Sequence, residues 1–350
     1  MTDIKSLATT PAYLLFLYTI LLGSIFSGCI EPNVDDLWSV SVETVIETDG
    51  FSRDVFITGN TAFIAAGQAG VYVWDLATNA IIRTHNTYGN ADLEDVSRVY
   101  YDSLNSFLFI RDQTNLFFFE YDSASLDAPN FVGDSHIEDF AIFPDTANQF
   151  FIYYTDKDVG DGFIWGQYKP DGCCWYLNGG GVIKPDAPMR GISVSESYVA
   201  IAMDQLGVEL YSIDSIGADP TLIGRVDTEG NGEQVTLTSE GVFAACDDAG
   251  AYFIPYQDFY TEVAQRAISD FGAYKARFAE DLTVDHIAVN NGIAVLSLGS
   301  KGIALYDITD PSSPIEKGIF PVGYVYKTEF WGEKLLVCSR EGLQILSIKQ

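Results

Sequence analysis

The sequence predicts an all-β fold, a β-propeller of seven four-stranded blades closed by an N-terminal strand. Three observations predict it. A 22-residue pattern recurs seven times along the 350 residues, at steps of 40 to 52 residues. Each copy reads as short β-branched and aromatic runs punctuated by Gly turns, which is strand chemistry. The last copy is one strand short, while an orphan strand, Trp38 to Thr48, precedes the first. A ring of such repeats is a single unit, so the length does not require two or three domains.

The amino terminus reads as a processing signal. A short start containing Lys5 precedes an apolar run from Ala12 to Ile25, 14 residues long. A spanning helix needs roughly 20, and the run fits the apolar part of a secretory signal. Phe26-Ser27-Gly28-Cys29 follows, and small residues just before a Cys resemble the lipobox of bacterial lipoproteins. The resemblance implies cleavage before Cys29 and acylation of its thiol and new amine, palmitate-like chains anchoring the protein in a membrane. Residues 1–28 are then signal peptide, 29–37 a polar tether, and 38–350 the propeller. Ile30, directly after the Cys, is not the Asp that commonly retains lipoproteins at the inner membrane. The expected address is therefore the cell envelope, at the outer membrane.

The copies carry the fold. Residues 54 to 75 (DVFITGNTAFIAAGQAGVYVWD) align without a gap on residues 286 to 307 (HIAVNNGIAVLSLGSKGIALYD). Gly67 meets Gly299, Gly70 meets Gly302, and Asp75 meets Asp307. Copies from Gly191, Gln234 and Tyr326 fall on the same frame, with Gly207, Gly250 and Gly342 at the Gly70 position. Two divergent copies lie between, from Asp95-Val96 and from Asp139-Phe140. First strands are predicted to begin at Val55, Val96, Phe140, Ile192, Val235, Ile287 and Lys327. Pairing the orphan strand with the last copy joins the termini and removes an open edge.

Val71-Tyr72-Val73-Trp74-Asp75 and Ile303-Ala304-Leu305-Tyr306-Asp307 resemble the pentad of the LVIVD-repeat propellers. Asp310-Pro311-Ser312-Ser313-Pro314 resembles that family's exit from the third strand. The resemblance covers most of residues 51 to 350 and implies an extracytoplasmic propeller, often a lipoprotein. It implies no settled activity.

Charge narrows the partners. With 19 Lys plus Arg against 49 Asp plus Glu, the net charge is −30. That excludes nucleic acid, whose phosphates must be met by cations, and a polybasic grip on anionic lipid. A divalent cation stays open as a partner, as does a protein or polysaccharide. No cofactor is implied. The sequence holds no G-x-S-x-G elbow, P-loop or H-E-x-x-H. His85, His136 and His286 sit in different copies, so no metal site is assigned.

The candidate ligand-binding set lies where the chain enters each first strand, since a ring brings equivalent positions together. The pairs are Arg53-Asp54, Glu94-Asp95, Glu138-Asp139, Arg190-Gly191, Glu233-Gln234, Asp285-His286 and Val325-Tyr326. The candidates are Arg53, Asp54, Glu94, Asp95, Glu138, Asp139, Arg190, Glu233, Asp285 and His286. A carboxylate ring with two Arg suits a cation or a polar, hydroxyl-rich ligand. The alternative is a self-satisfied salt-bridge ring around a wet channel. Asp156 to Gly162 (DKDVGDG) has acid-rich calcium-loop character without the closing Glu, and reads as an exposed turn. Cys173 and Cys174 are adjacent and suit a vicinal disulfide in an oxidising envelope. Cys246 and Cys338 fall at the Ala66 position and read as buried packing residues.

A non-enzymatic binding scaffold at the cell surface is the leading expectation. The alternatives are a lyase or hydrolase of an extracellular polymer working at the channel mouth, and a structural subunit of an envelope complex.

Overall fold

The computed structural model describes residues 37–121, 126, 129–132, 136–145, 149–156, 162–171, 174–184, 187–259 and 276–350. The signal segment, Cys29, most of the tether, Cys173 and residues 157–161 of the acid-rich turn lie outside them.

Seven four-stranded antiparallel sheets follow one another along the chain. From first strand to outermost, blade 1 runs from Asp54–Thr58 to Ala80–His85, and blade 2 from Val96–Asp102 to Asn130–Val132. Blade 3 runs from Ile137–Pro144 to Cys174–Ile183, and blade 4 from Ile192–Val194 to Thr221–Val226. Blade 5 runs from Gln234–Leu237 to Arg277–Phe278, and blade 6 from His286–Asn290 to Ile315–Phe320. Blade 7 has three strands of its own, Val325–Trp331, Lys334–Ser339 and Gly342–Lys349, and takes its fourth, Ser39–Ile46, from the amino terminus. That strand pairs from Ser39 with Lys349 to Ile46 with Leu343, the closure the orphan strand predicts. The seven first strands touch in cyclic order, blade 7 against blade 1 included.

Alternation along each strand drives this ring, because both faces of a blade must be covered by its neighbours. Among the described residues one apolar cluster sits at each of the seven blade junctions. Ala62, Ile64 and Tyr72 face blade 7, whereas Phe63, Ala65 and Val73 on the same strands face blade 2. Period-two alternation thus serves two interfaces at once. Blades 2 and 3 fill their junction with rings, Phe109 and Phe150 meeting edge to face at 4.8 Å.

Two turns at opposite ends of each blade set the faces of the disc. The turn between second and third strands carries a left-handed residue, φ 56° at Gly67, 49° at Asp204 and Asp247, and 53° at Gly299. That turn lies on the same face as the entry to each first strand, where backbone bridges join Gly67 to Val96, Asp204 to Gly232, Asp247 to Val284 and Gly299 to Val325.

Candidate functional site

Backbone pairing identifies which side chain each blade places at the channel. Asp54 pairs with Ala65, two residues before the left-handed Gly67. The equivalents are Arg98, Asp139, Gly191, Gln234, His286 and Lys327. Two of these correct the sequence frame. In blade 2 the register shifts between Val96 and Arg98, and in blade 7 between Val325 and Lys327. Blade 3 has the same shift, between Ile137 and Asp139, and keeps its expected residue. Arg98 and Lys327 occupy the ring positions expected for Asp95 and Tyr326, three residues and one residue further along the chain. The turn after Ser339 is also one residue shorter than that after Ala66, so Cys338 corresponds to Ala65 rather than to Ala66. Cys246 keeps its expected place. Burial pushes both thiols up to about 12, which leaves them as inert packing groups.

The ring positions form an alternating ion chain. Lys327 Nζ lies 2.5 Å from Asp54 Oδ1, Arg98 Nε 3.5 Å from Asp54 Oδ2, and Arg98 Nη2 2.6 Å from Asp139 Oδ1. Asp54 and Asp139 are almost wholly buried. Burial alone would raise the Asp54 carboxyl, but Lys327 and Arg98 outweigh it and hold the group below its ordinary range. The same carboxylates latch one blade to the next. Asp54 Oδ2 accepts from the Val99 amide at 2.9 Å, and Asp139 Oδ2 from the Ile192 amide at 3.0 Å. Gln234 Oε1 does the same with the Ile287 amide at 3.2 Å. These amides lie on the inner edge of each sheet, where a strand otherwise leaves its N–H groups without partners.

Above the ion chain, toward the entry face, lies a cavity of about 210 Å³. Arg53, Glu138, Asp139, Arg190, Glu233, Asp285 and His286 of the candidate set line it together. Asp54 sits below, with the second channel cavity of about 310 Å³, whose wall includes Phe56, Tyr100, Phe140 and Phe330. Arg98 and Lys327 border both. Glu94 and Asp95 are not in the ring. They line a neighbouring cavity of about 530 Å³ with Phe51 and Gln113, where Asp95 meets Arg53 at 3.4 Å and Glu94 accepts from Gln113.

The acid excess expected at the mouth is offset by cations that the frame did not place there. Glu138 meets Arg111 at 3.0 Å and Arg190 at 3.3 Å, and Arg111 also donates to the Ile137 carbonyl. Arg190 reaches on to Asp204 at 3.7 Å. Four cations and four carboxylates line the mouth cavity. On the blade 5 and 6 side the carboxylates are less compensated. Burial raises Glu233, with Arg190 opposing and Asp204, Asp247 and Asp285 reinforcing; burial also raises Asp285, helped by Asp247. Burial, then Lys327 and Arg98, hold His286 well below the ordinary imidazole value, so its ring is neutral at physiological pH.

Arg98, Arg111, Lys327, Asp204 and Asp247 were missed as site residues. Asp204 and Asp247 had a signal, since they align on Gly67 and Gly299, and Asp tolerates the left-handed turn conformation. Among the described residues no His, Cys, Asp or Glu group could hold a metal ion. Cys174 is exposed at the start of the outermost strand of blade 3.

No family model matches this sequence, and no curated protein does. Solved structures share the fold. The structure of U3-55K matches with a TM-score of 0.64 at 12% identity, covering 89% of this chain and 98% of that one. The WD40 β-propeller domain of Doa1 matches at 0.63 and 13%, covering 89% and 97%. The computationally designed Ika8 protein matches at 0.58 and 10%, covering 88% and 99%. The chain is a β-propeller. At such identities the likeness carries architecture alone.

Proposed function

We propose that this propeller is an envelope lipoprotein of the LVIVD-repeat kind, a non-enzymatic binding scaffold held by Cys29, whose recognition surface is the entry face. One observation carries the reading. The mouth cavity is bordered by the paired ion chain below it, and it lies toward the face opposite the start of the closing strand. Ser39 pairs with Lys349 at one end of blade 7, while Ile46 pairs with Leu343 beside the entry-face turn. The closing strand therefore begins on the face opposite the mouth. Rigid frameworks with loops gathered at one face suit recognition.

Fractionation tests the anchor. Wild-type chain should sediment with membranes and carry acyl mass on its mature N-terminal peptide. Cys29→Ala should be soluble or unprocessed. A soluble wild type without acyl mass overturns the anchor.

A second reading, an enzyme acting on a polymer at the mouth, is favoured by the raised carboxyls of Glu233 and Asp285, since such groups suit general acids. Under it, Glu233→Gln abolishes turnover of bound polymer, whereas under the scaffold reading there is no turnover to abolish.

A further inference from the structure

The rim of the disc holds one edge unlike the others. Among the described residues the outermost strand of each blade has a neighbouring strand on one side only. Its outward N–H and C=O groups are a template for another chain unless the edge is short, charged or interrupted. Two edges are short, Asn130–Val132 and Arg277–Phe278. Four carry charge: Arg83 in Ala80–His85, Arg225 in Thr221–Val226, Glu316 and Lys317 in Ile315–Phe320, and Glu43 in Ser39–Ile46. Cys174–Ile183 of blade 3 has ten residues, none of them charged and none Pro, in a chain of net charge −30.

This edge is also the least interrupted. A bulge breaks the outer ladder in blades 1, 3, 4, 6 and 7. In blade 3 five consecutive pairs lie beyond it, from Gln167 with Asn178 to Asp171 with Cys174. No other outer ladder has a run longer than four. The second strand of blade 3 pairs no further than Tyr168, so residues 169–171 and 174–176 continue past it as a two-stranded ribbon. Two strands alone are marginal in water, and a third completes a sheet. The Trp175 ring holds the ribbon against blade 2, edge to face with Phe107 at 5.3 Å and Phe118 at 4.9 Å. Tyr176 and Leu177 remain 43% and 37% exposed.

Symmetry and charge name the partner. In a two-fold antiparallel pair a strand meets its own mirror image, so a charged edge sets like charges close together, which is destabilising. A strand without charge carries none of that cost, although copies of so acidic a chain repel elsewhere. We infer that two copies of this chain pair edge to edge through residues 175–178, joining two four-stranded blades into one sheet. Twist of about 20–25° per strand turns the outermost strand some 60–75° from the first, closer to the plane of the disc than to the channel axis. The two-fold axis of such a pair is perpendicular to the sheet. It therefore lies nearer to the channel axis and leaves both mouths on one side.

The test uses the full acylated chain in a polyoxyethylene detergent, with micelles in large excess. A reductant keeps Cys173 and Cys174 from linking copies. Density-matched sedimentation equilibrium should show the mass rising from one chain to two with concentration, and amide exchange at residues 175–178 should slow in step. Tyr176→Lys sets a like charge near its mirror and should weaken the association at least tenfold. It also makes each copy less acidic, so the loss cannot come from overall repulsion. Ile81→Lys, on the exposed outermost strand of blade 1, should associate as wild type does. Should Tyr176→Lys fail to fold, Leu177→Lys decides. The inference is overturned if wild type stays one chain throughout, if Tyr176→Lys associates as wild type does, or if Ile81→Lys loses association equally. Exchange at residues 175–178 that ignores concentration would also overturn it. So would a wild type that stays one chain and gains protection there only in an envelope extract, since the edge would then belong to a different partner.

Discussion

At the scale of single residues the channel is organised by one buried chain of alternating charge, Lys327–Asp54–Arg98–Asp139. Asp54 and Asp139 were expected to be ligand groups, but both are occupied in latching blades. A buried ion pair is weak evidence of net stabilisation, yet removing one partner strands the other charge, which costs about 3 kcal/mol or more. Asp54 shows how this depends on pH. Its folded pKa lies below its unfolded value of about 3.9. Its contribution is therefore complete only above about pH 5 and is lost as pH falls through the unfolded value toward the lower folded one. Lys327→Met should lower stability near pH 7 by about 3 kcal/mol and should flatten the acid limb of the stability curve, because Asp54 then titrates nearer its unfolded value. Lys334→Met, which breaks the exposed pair with Glu43, should change neither. Urea unfolding between pH 2 and 7 measures both quantities, and equal curves for the two variants would show that the chain does not behave as a buried unit.

At the scale of the element, the turn between second and third strands decides whether a blade closes. Gly302 has φ 90°, and a Cβ there would stand 2.1 Å from the Phe320 carbonyl oxygen of the outermost strand. Gly332 has φ 62° with nothing within 4 Å of the same added atom. Both alanine variants bear the left-handed backbone cost of roughly 1–2 kcal/mol, but only Gly302→Ala must also move backbone. It should destabilise by about 2 kcal/mol more, in the range of overpacked sites, as read by thermal melting; equal losses would remove the steric part of the argument. This Gly is also why the fold could be read from sequence. Gly70, Gly207, Gly250, Gly302 and Gly342 all have positive φ, so the backbone demand surfaces as a visible period. The orphan strand was legible for the same kind of reason, since an apolar run with no blade of its own has to pair somewhere. The site was less legible. Arg53, Glu138, Asp139, Arg190, Glu233, Asp285 and His286 were found by equivalence alone. Arg98 and Lys327 were not, because blade 2 diverges from the repeat pattern and the second turn of blade 7 is one residue shorter, which moves the frame before it. Arg111 lay on a second strand, outside the frame searched, and enters the site by reaching across to blade 3.

At the scale of the whole molecule, ring closure fixes the face of the disc at which the closing strand begins. The closing strand Ser39–Ile46 spans eight residues, about 26 Å of extended chain, and it runs from the far face to the entry face. Ser39 therefore lies at the face opposite the mouth. Nine residues of tether, 29 to 37, reach at most about 30 Å. With Cys29 acylated, the far face should sit nearer the bilayer and the mouth should point away from it. Two exposed positions report on this: Gln68 in the entry-face turn of blade 1, and Asn60 in the turn at the other end of the same blade. Single-cysteine variants Gln68→Cys and Asn60→Cys, made with Cys173 and Cys174 both replaced by Ser, can carry the same fluorophore on the acylated chain in vesicles. Cys29 stays acylated, and Cys246 and Cys338 are buried and escape labelling. Quenching by a spin-labelled lipid falls steeply over a few ångströms, so the label on Asn60→Cys should be quenched more strongly than that on Gln68→Cys. Stronger quenching at Gln68→Cys would place the mouth against the membrane. Equal quenching would mean that the tether leaves the disc free to tumble, and the opposition of the two faces would then have no bearing on recognition.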